Sequence, residues 1–174
     1  VPAGLKKLEQ LDIGLLVAMR TRGHGDPRVE RAASGFSRTG EHAACWFALG
    51  AAGYVLSDRG GDARRDWVRG LLSTASAWAV NSAIKQVVRR PRPQLEGLPA
   101  LTPVVSSLSF PSAHASTSVA AATAYSRALP AAAPLLYGLA GAFALSRPYL
   151  GVHYPSDVIA GVALGSVIGR AARA

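Results

Sequence analysis

Residues 146–157 place an arginine, a histidine and a carboxylate (Arg147, His153 and Asp157) between two apolar segments. Asp157 follows His153 by four residues, and Pro155 between them is well tolerated in the first turn of a helix. The helix dipole favours a carboxylate in that turn. From there Asp157 reaches back to the His153 ring, where it fixes the tautomer and stabilises an imidazolium. A histidine held this way serves as nucleophile or general base. The planar donors of Arg147 suit a phosphate or a carboxylate. The same three residue types at a helix entrance also serve as a cap and a solvated ion pair, so further stretches must decide.

Two such stretches exist. Lys85 and Arg92 lie at the end of an apolar run, where Pro91 and Pro93 stop the helix and hold Arg92 in an extended turn. Arg89 and Arg90 beside them read as orienting charges on the cytoplasmic side of a membrane protein. Residues 109–114 open the next apolar run with Pro111, Ser112, Ala113 and His114. Proline then serine at a helix start leaves backbone N–H groups and a hydroxyl for an anion. On spacing alone His114 is either a cap or surface histidine or a functional one.

The elements that must position these groups are helical. Residues 3–20 set Leu5, Leu8, Leu11, Leu15, Leu16 and Met19 at helical spacing, with Lys6, Lys7, Glu9 and Asp12 largely elsewhere. This predicts an amphipathic helix lying on a membrane surface, too charged to span. The same charges break any apolar core of a secretory leader. Residues 21–40 read as loop, with a short helix around 29–36. Five apolar runs follow, at 43–57, 70–84, 115–126, 128–146 and 158–169. The last carries Gly161, Gly165 and Gly169 at every fourth position, a ridge suited to close helix packing. The expected organisation is an N-terminal helix and loop over 1–40 and a transmembrane domain over 41–174. The expected fold is all-α, a membrane-embedded bundle of about five transmembrane helices plus the interfacial helix.

Composition agrees. Of 174 residues, 49% are hydrophobic and 17% charged, the formal charge is +9, and mean hydropathy is +0.20. A basic, apolar chain of this size points to one domain with an anionic partner: phosphate, anionic lipid or nucleic acid. The single cysteine, Cys45, excludes an intrachain disulfide. Five spans would put Lys85, Arg92, Ser112 and His114 on the same side as Arg147, His153 and Asp157. All candidate groups then converge on one face, which nothing in their spacing required.

Lys-x6-Arg-Pro (Lys85, Arg92, Pro93), Pro-Ser-x-His (Pro111, Ser112, His114) and Ser-Arg-x5-His-x3-Asp (Ser146, Arg147, His153, Asp157) resemble the three-part signature of the type 2 phosphatidic acid phosphatase superfamily. The resemblance covers about residues 41–172 and departs at Ala113, where the family usually has glycine. It implies that His153 attacks phosphorus to form a phosphohistidine, oriented by Asp157. His114 would protonate the leaving oxygen and then activate water. Lys85, Arg92, Arg147, Ser112 and the amides around Ala113 would hold the phosphoryl oxygens. No metal or other cofactor is expected, since no Asp/Glu cluster or His/Cys ligand set is present.

The apolar runs imply a lipid-linked phosphate as substrate and membrane lipids as surroundings. Residues 37–42 and the short Ala-rich build are similar to actinobacterial members acting on decaprenylphosphoryl phosphoribose in cell-wall arabinan synthesis. Undecaprenyl pyrophosphate and phosphatidylglycerophosphate phosphatases are the alternatives within the class. The bias of Lys and Arg toward the motif side places the active site on the cytoplasmic face of a multi-pass cell-membrane protein. A non-enzymatic nucleic-acid-binding protein would explain the charge. No nucleic-acid motif or aromatic-rich basic surface accompanies it, so no nucleic-acid partner is expected.

Overall fold

The computed structural model describes residues 3–22, 25–58 and 61–172, with residues 3–6 by backbone alone. The side chains of Leu5 and Lys6, and residues 23 and 24 of the expected loop, lie outside that description. Every regular element described is helical: α1 (Ala3–Thr21), α2 (Pro27–Thr39), α3 (Ala44–Leu56), α4 (Asp62–Val88), α5 (Ala113–Ala128), α6 (Ala133–Tyr149) and α7 (Pro155–Ala171). Short 3₁₀ turns at Glu41–Ala43 and Pro130–Ala132 precede α3 and α6.

Local chemistry sets the ends. Asp26 caps α2 by accepting the Arg28 N–H at 2.8 Å, with Pro27 in the first helical position. The helix is longer than the sequence predicts, and it carries Ser37 inward. α4 ends where Arg89 turns left-handed (φ 52°) two residues before Pro91. α7 starts at Pro155, with Asp157 Oδ2 accepting the Tyr154 N–H at 2.9 Å. The apolar run at 128–146 does not form one helix. Pro130 breaks it, so α6 begins only at Ala133, with Pro134 in its first turn.

α5 is the axis of the bundle, packed by α4, α6 and α7 and buried over most of its length. An aromatic core of Trp46, Trp67, Tyr125 and Phe143 fills the bundle, with the Phe143 ring 6.2 Å from that of His114. Two of its polar groups pair within the bundle: Tyr125 Oη donates to Trp46 O at 3.0 Å, and Trp46 Nε1 to Ser118 Oγ at 2.8 Å. The glycine ridge packs α7 directly on α5. A Cβ at Gly161, Gly165 or Gly169 would stand 2.6, 2.3 and 2.6 Å from Ser112 O, Ser116 O and Thr123 Cβ. Gly165→Ala is therefore expected to destabilise the bundle by about 1–3 kcal/mol through overpacking. A lower thermal midpoint in detergent would show it; an unchanged midpoint would mean that α7 moves off α5 freely.

The N-terminal helix, expected to lie on a membrane surface, packs on the bundle. Asp12, Leu16 and Arg20, four residues apart, are its buried positions, and the helix packs on α6 and α7. Leu8, Leu11 and Leu15 point away from the bundle and are more than half exposed. Further large apolar side chains are exposed along the bundle helices, among them Val55, Leu72, Leu135, Leu145, Ile159 and Val167. Among the described residues no helix is long and apolar enough to cross a membrane. α3 runs for only about 20 Å and α5 to α7 for about 25 Å each. α4 reaches about 40 Å, but its first turns carry Asp62, Arg64, Arg65, Asp66 and Arg69.

Candidate active site

The C-terminal parts of α4 and α6, the start of α5, residues 40–43 and the loops before α5 and α7 surround a cavity of about 230 Å³. Lys85, Arg92, Ala113, His114, Arg147 and His153 line it, so residues spread over 69 positions of sequence meet at one wall. Asp157 stands behind His153 and is fully buried.

His153 lies in the loop between α6 and α7, 2% exposed. Its Nδ1 is 3.5 Å from Asp157 Oδ2, within ion-pair range but too long for a well-made hydrogen bond. Its Nε2 is 3.1 Å from Arg92 Nη1. A guanidinium only donates, so Nε2 is the acceptor and the ring proton sits on Nδ1, toward the carboxylate. Burial, then the charges of Arg92, Arg147, Lys85 and His114, hold the imidazole well below its ordinary value. At neutral pH His153 is an uncharged ring with a lone pair on Nε2, the form a nucleophile needs.

Lys85 and Arg92 are fixed by backbone oxygens and Arg147 by a hydroxyl. Lys85 Nζ donates to Leu108 O at 3.1 Å and to Ser109 O at 3.0 Å, which leaves one ammonium proton. Arg92 Nε donates to Ser106 O and Nη1 to Val152 O, each at 2.6 Å. Burial pushes its guanidinium down to about 10, still cationic at neutral pH. The loop carrying it is tied by a bridge between Pro91 and Leu108 and by Arg92 N–H to Ser107 O at 3.2 Å. Arg147, 4% exposed, donates from Nη1 to the Ser37 hydroxyl.

His114 is neither a cap nor a surface residue: it is 8% exposed, on the cavity wall. Its Nε2 lies 2.9 Å from Ser37 O. A carbonyl only accepts, so Nε2 carries a proton and Nδ1 is the atom left for proton exchange. Ser112 lies behind the wall rather than on it. Its N–H donates to Asp157 O at 2.9 Å, joining the starts of α5 and α7, and its hydroxyl is buried without a partner. Ala113 has no left-handed φ, so the backbone there does not demand glycine, and the residue lines the cavity.

Three residues outside the sequence candidates join the site. Ser37, from a segment expected to be loop, contacts both His114 and Arg147. Arg90, expected to be an orienting surface charge, donates to Asp157 Oδ1 at 2.8 Å. Asp12 accepts from the other arm of Arg90 at 2.8 Å. Among the described residues, no group of three or more His, Cys, Asp or Glu is placed to hold a metal ion.

The profile of the PAP2 superfamily matches residues 66–174. The chain belongs to the PAP2 superfamily. A decaprenylphosphoryl-5-phosphoribose phosphatase of Mycobacterium tuberculosis is 38% identical over 158 residues, covering 91% of this chain and 86% of that protein. Its namesake in Mycolicibacterium smegmatis is 41% identical over 147 residues, covering 84% and 79%. Among solved structures, Aquifex aeolicus LpxE superposes with a TM-score of 0.75 at 20% identity, over 94% of each chain. The first transmembrane PAP2 type phosphatidylglycerolphosphate phosphatase from Bacillus subtilis gives 0.72 at 22% identity, over 96% of this chain and 85% of the other. At those identities the two structures speak for the fold alone. With its superfamily and its phosphatase relatives, the protein is a phosphoric monoester hydrolase.

Proposed function

We propose that this PAP2 member is an integral membrane phosphatase that removes the phosphomonoester from a polyprenyl-linked sugar phosphate, decaprenylphosphoryl-5-phosphoribose, leaving decaprenylphosphoryl ribose. One observation carries the chemistry: His153 Nε2 faces a cavity whose walls hold Lys85, Arg92, Arg147 and His114. Three cations match a phosphoryl group whose transition state spreads negative charge over its equatorial oxygens. Ala113 adds the start of α5 to that cradle, and Ser112 supports it from behind through its N–H bond to Asp157 O.

The His153 Nε2 lone pair forms the N–P bond as the P–O bond to the sugar breaks. The bound dianion favours a charged His114, which gives its Nδ1 proton to the departing oxygen. Asp157 stabilises the phosphoimidazolium through the Nδ1 proton. Water then attacks phosphorus, His114 Nδ1 takes its proton, and the N–P electron pair returns to His153 with release of phosphate.

The relatives' substrate supports the choice of lipid. The outward leucines of α1 and the exposed apolar side chains of α3, α4, α6 and α7 support a bundle of five helices embedded in a membrane. In this reading residues 1–40 dock on a phosphatase domain over 41–174, and the site opens to the cytoplasmic face. The test is phosphate release in detergent without added metal, offering decaprenylphosphoryl phosphoribose beside undecaprenyl pyrophosphate and phosphatidylglycerophosphate. The phosphoribosyl lipid is expected to give the highest kcat/KM. A clear preference for the pyrophosphate or the glycerophosphate would overturn the substrate assignment.

A further inference from the structure

We infer that Asp12, on the N-terminal helix, is a positioning residue for phosphoryl transfer, acting on the His153–Asp157 pair through Arg90. The inference rests on the phosphatase reading above. Asp12 lies outside the part of the chain that the superfamily profile matches, and far in sequence from every motif.

Asp12 is 7% exposed in a helix whose leucines are largely exposed, an arrangement opposite to the usual one. It is pinned to the first turn of α7: Oδ1 accepts the Ser156 N–H at 2.9 Å, and Oδ2 accepts the Ser156 hydroxyl. Oδ2 also accepts from Arg90 Nη2 at 2.8 Å. The Arg90 guanidinium stacks 3.9 Å from the Tyr154 ring centroid and donates from Nη1 to Ser156 Oγ at 2.7 Å and Asp157 Oδ1 at 2.8 Å. Asp157 gives its other oxygen to the Tyr154 N–H and to the side facing His153 Nδ1.

Charge makes the arrangement functional. When His153 takes the phosphoryl group its ring becomes cationic, among Lys85 from α4, Arg92 from the loop, His114 from α5 and Arg147 from α6. Asp157 paired with Arg90 alone is a neutral unit and offers that cation no net charge. Asp12 on the far arm of Arg90 makes the unit anionic and shares the guanidinium between two carboxylates. Asp12 thereby leaves Asp157 free to support the phosphoimidazolium, while α1 fixes Arg90 in place.

Asp12→Asn keeps the shape and removes the charge. Its kcat on the lipid phosphate is expected to fall about 10- to 100-fold, the size typical of losing an outer partner that orients a functional histidine. KM should stay unchanged, and Asp12→Glu should retain most of kcat. In an Arg90→Gln background Asp12→Asn should add little, because its route to Asp157 is gone. An unchanged kcat, or the same loss in both backgrounds, would overturn the inference and leave Asp12 as an anchor of α1. If the wild-type protein hydrolyses no lipid phosphate, the phosphatase reading fails separately. NMR of ¹⁵N-histidine-labelled protein in detergent then decides for Asp12: a shifted His153 Nδ1 resonance in Asp12→Asn supports the inference, and an unmoved one overturns it.

Discussion

His153→Ala is expected to release no phosphate while inorganic phosphate or vanadate still binds. The substitution removes the imidazole whose Nε2 faces Arg92 at the cavity wall, so no N–P bond can form at that position. It leaves Lys85, Arg92 and Arg147 held by contacts that do not involve the imidazole: Leu108 O and Ser109 O, Ser106 O and Val152 O, and Ser37 Oγ. Losing the nucleophile should cost at least about 10⁴-fold in kcat, as when one member of a catalytic unit is deleted. Separating the two readouts matters. Turnover in the alanine variant within tenfold of wild type would move the nucleophile elsewhere and sink the phosphohistidine. Loss of anion binding together with turnover would mean that the ring holds the cationic wall in shape, and the variant would say nothing against Nε2 as the attacking atom.

What could be read in the sequence, and what could not, divides by distance along the chain. Lys85 with Arg92, Ser112 with His114, and Arg147 with His153 and Asp157 lie within short stretches whose helix starts and stops are set by nearby prolines, so their types and spacing are visible together. The five apolar runs likewise correspond to α3 through α7, because small-residue faces and glycine spacing encode close packing locally. Asp12, Ser37 and Arg90 act across 144, 110 and 67 residues, where no local pattern exists. The leucine spacing of α1 also masked a second repeat. Asp12, Leu16 and Arg20 form the inward stripe, while the stronger apolar one faces out. A carboxylate inside a leucine-rich helix was the available signal. The run at 128–146 and α6 differ in their bounds because Pro130 delays the helix start to Ala133 while its last turn runs on through Arg147 to Tyr149.

Asp157→Asn isolates the tautomer from the fold. The amide is nearly the same size, and its oxygen can keep the 2.8 Å bond from Arg90 Nη1. Its NH2 group then points at the Tyr154 N–H, which Asp157 Oδ2 accepts at 2.9 Å, and at His153 Nδ1. A donor in that position favours the other tautomer, with the proton on Nε2, the atom that must attack and that already faces the donors of Arg92. Flipping the amide restores an acceptor toward Tyr154 and His153 but sets its NH2 against Arg90, so neither rotamer satisfies all three neighbours. The rate is expected to fall by about 10² to 10⁴, comparable to losing the carboxylate behind a catalytic histidine. KM should change little, because the three cavity cations are untouched. A near-normal rate would show that Asp157 serves α7 as a cap alone. A loss of folded protein without a change in the rate per folded molecule would place its value in the Arg90 network instead.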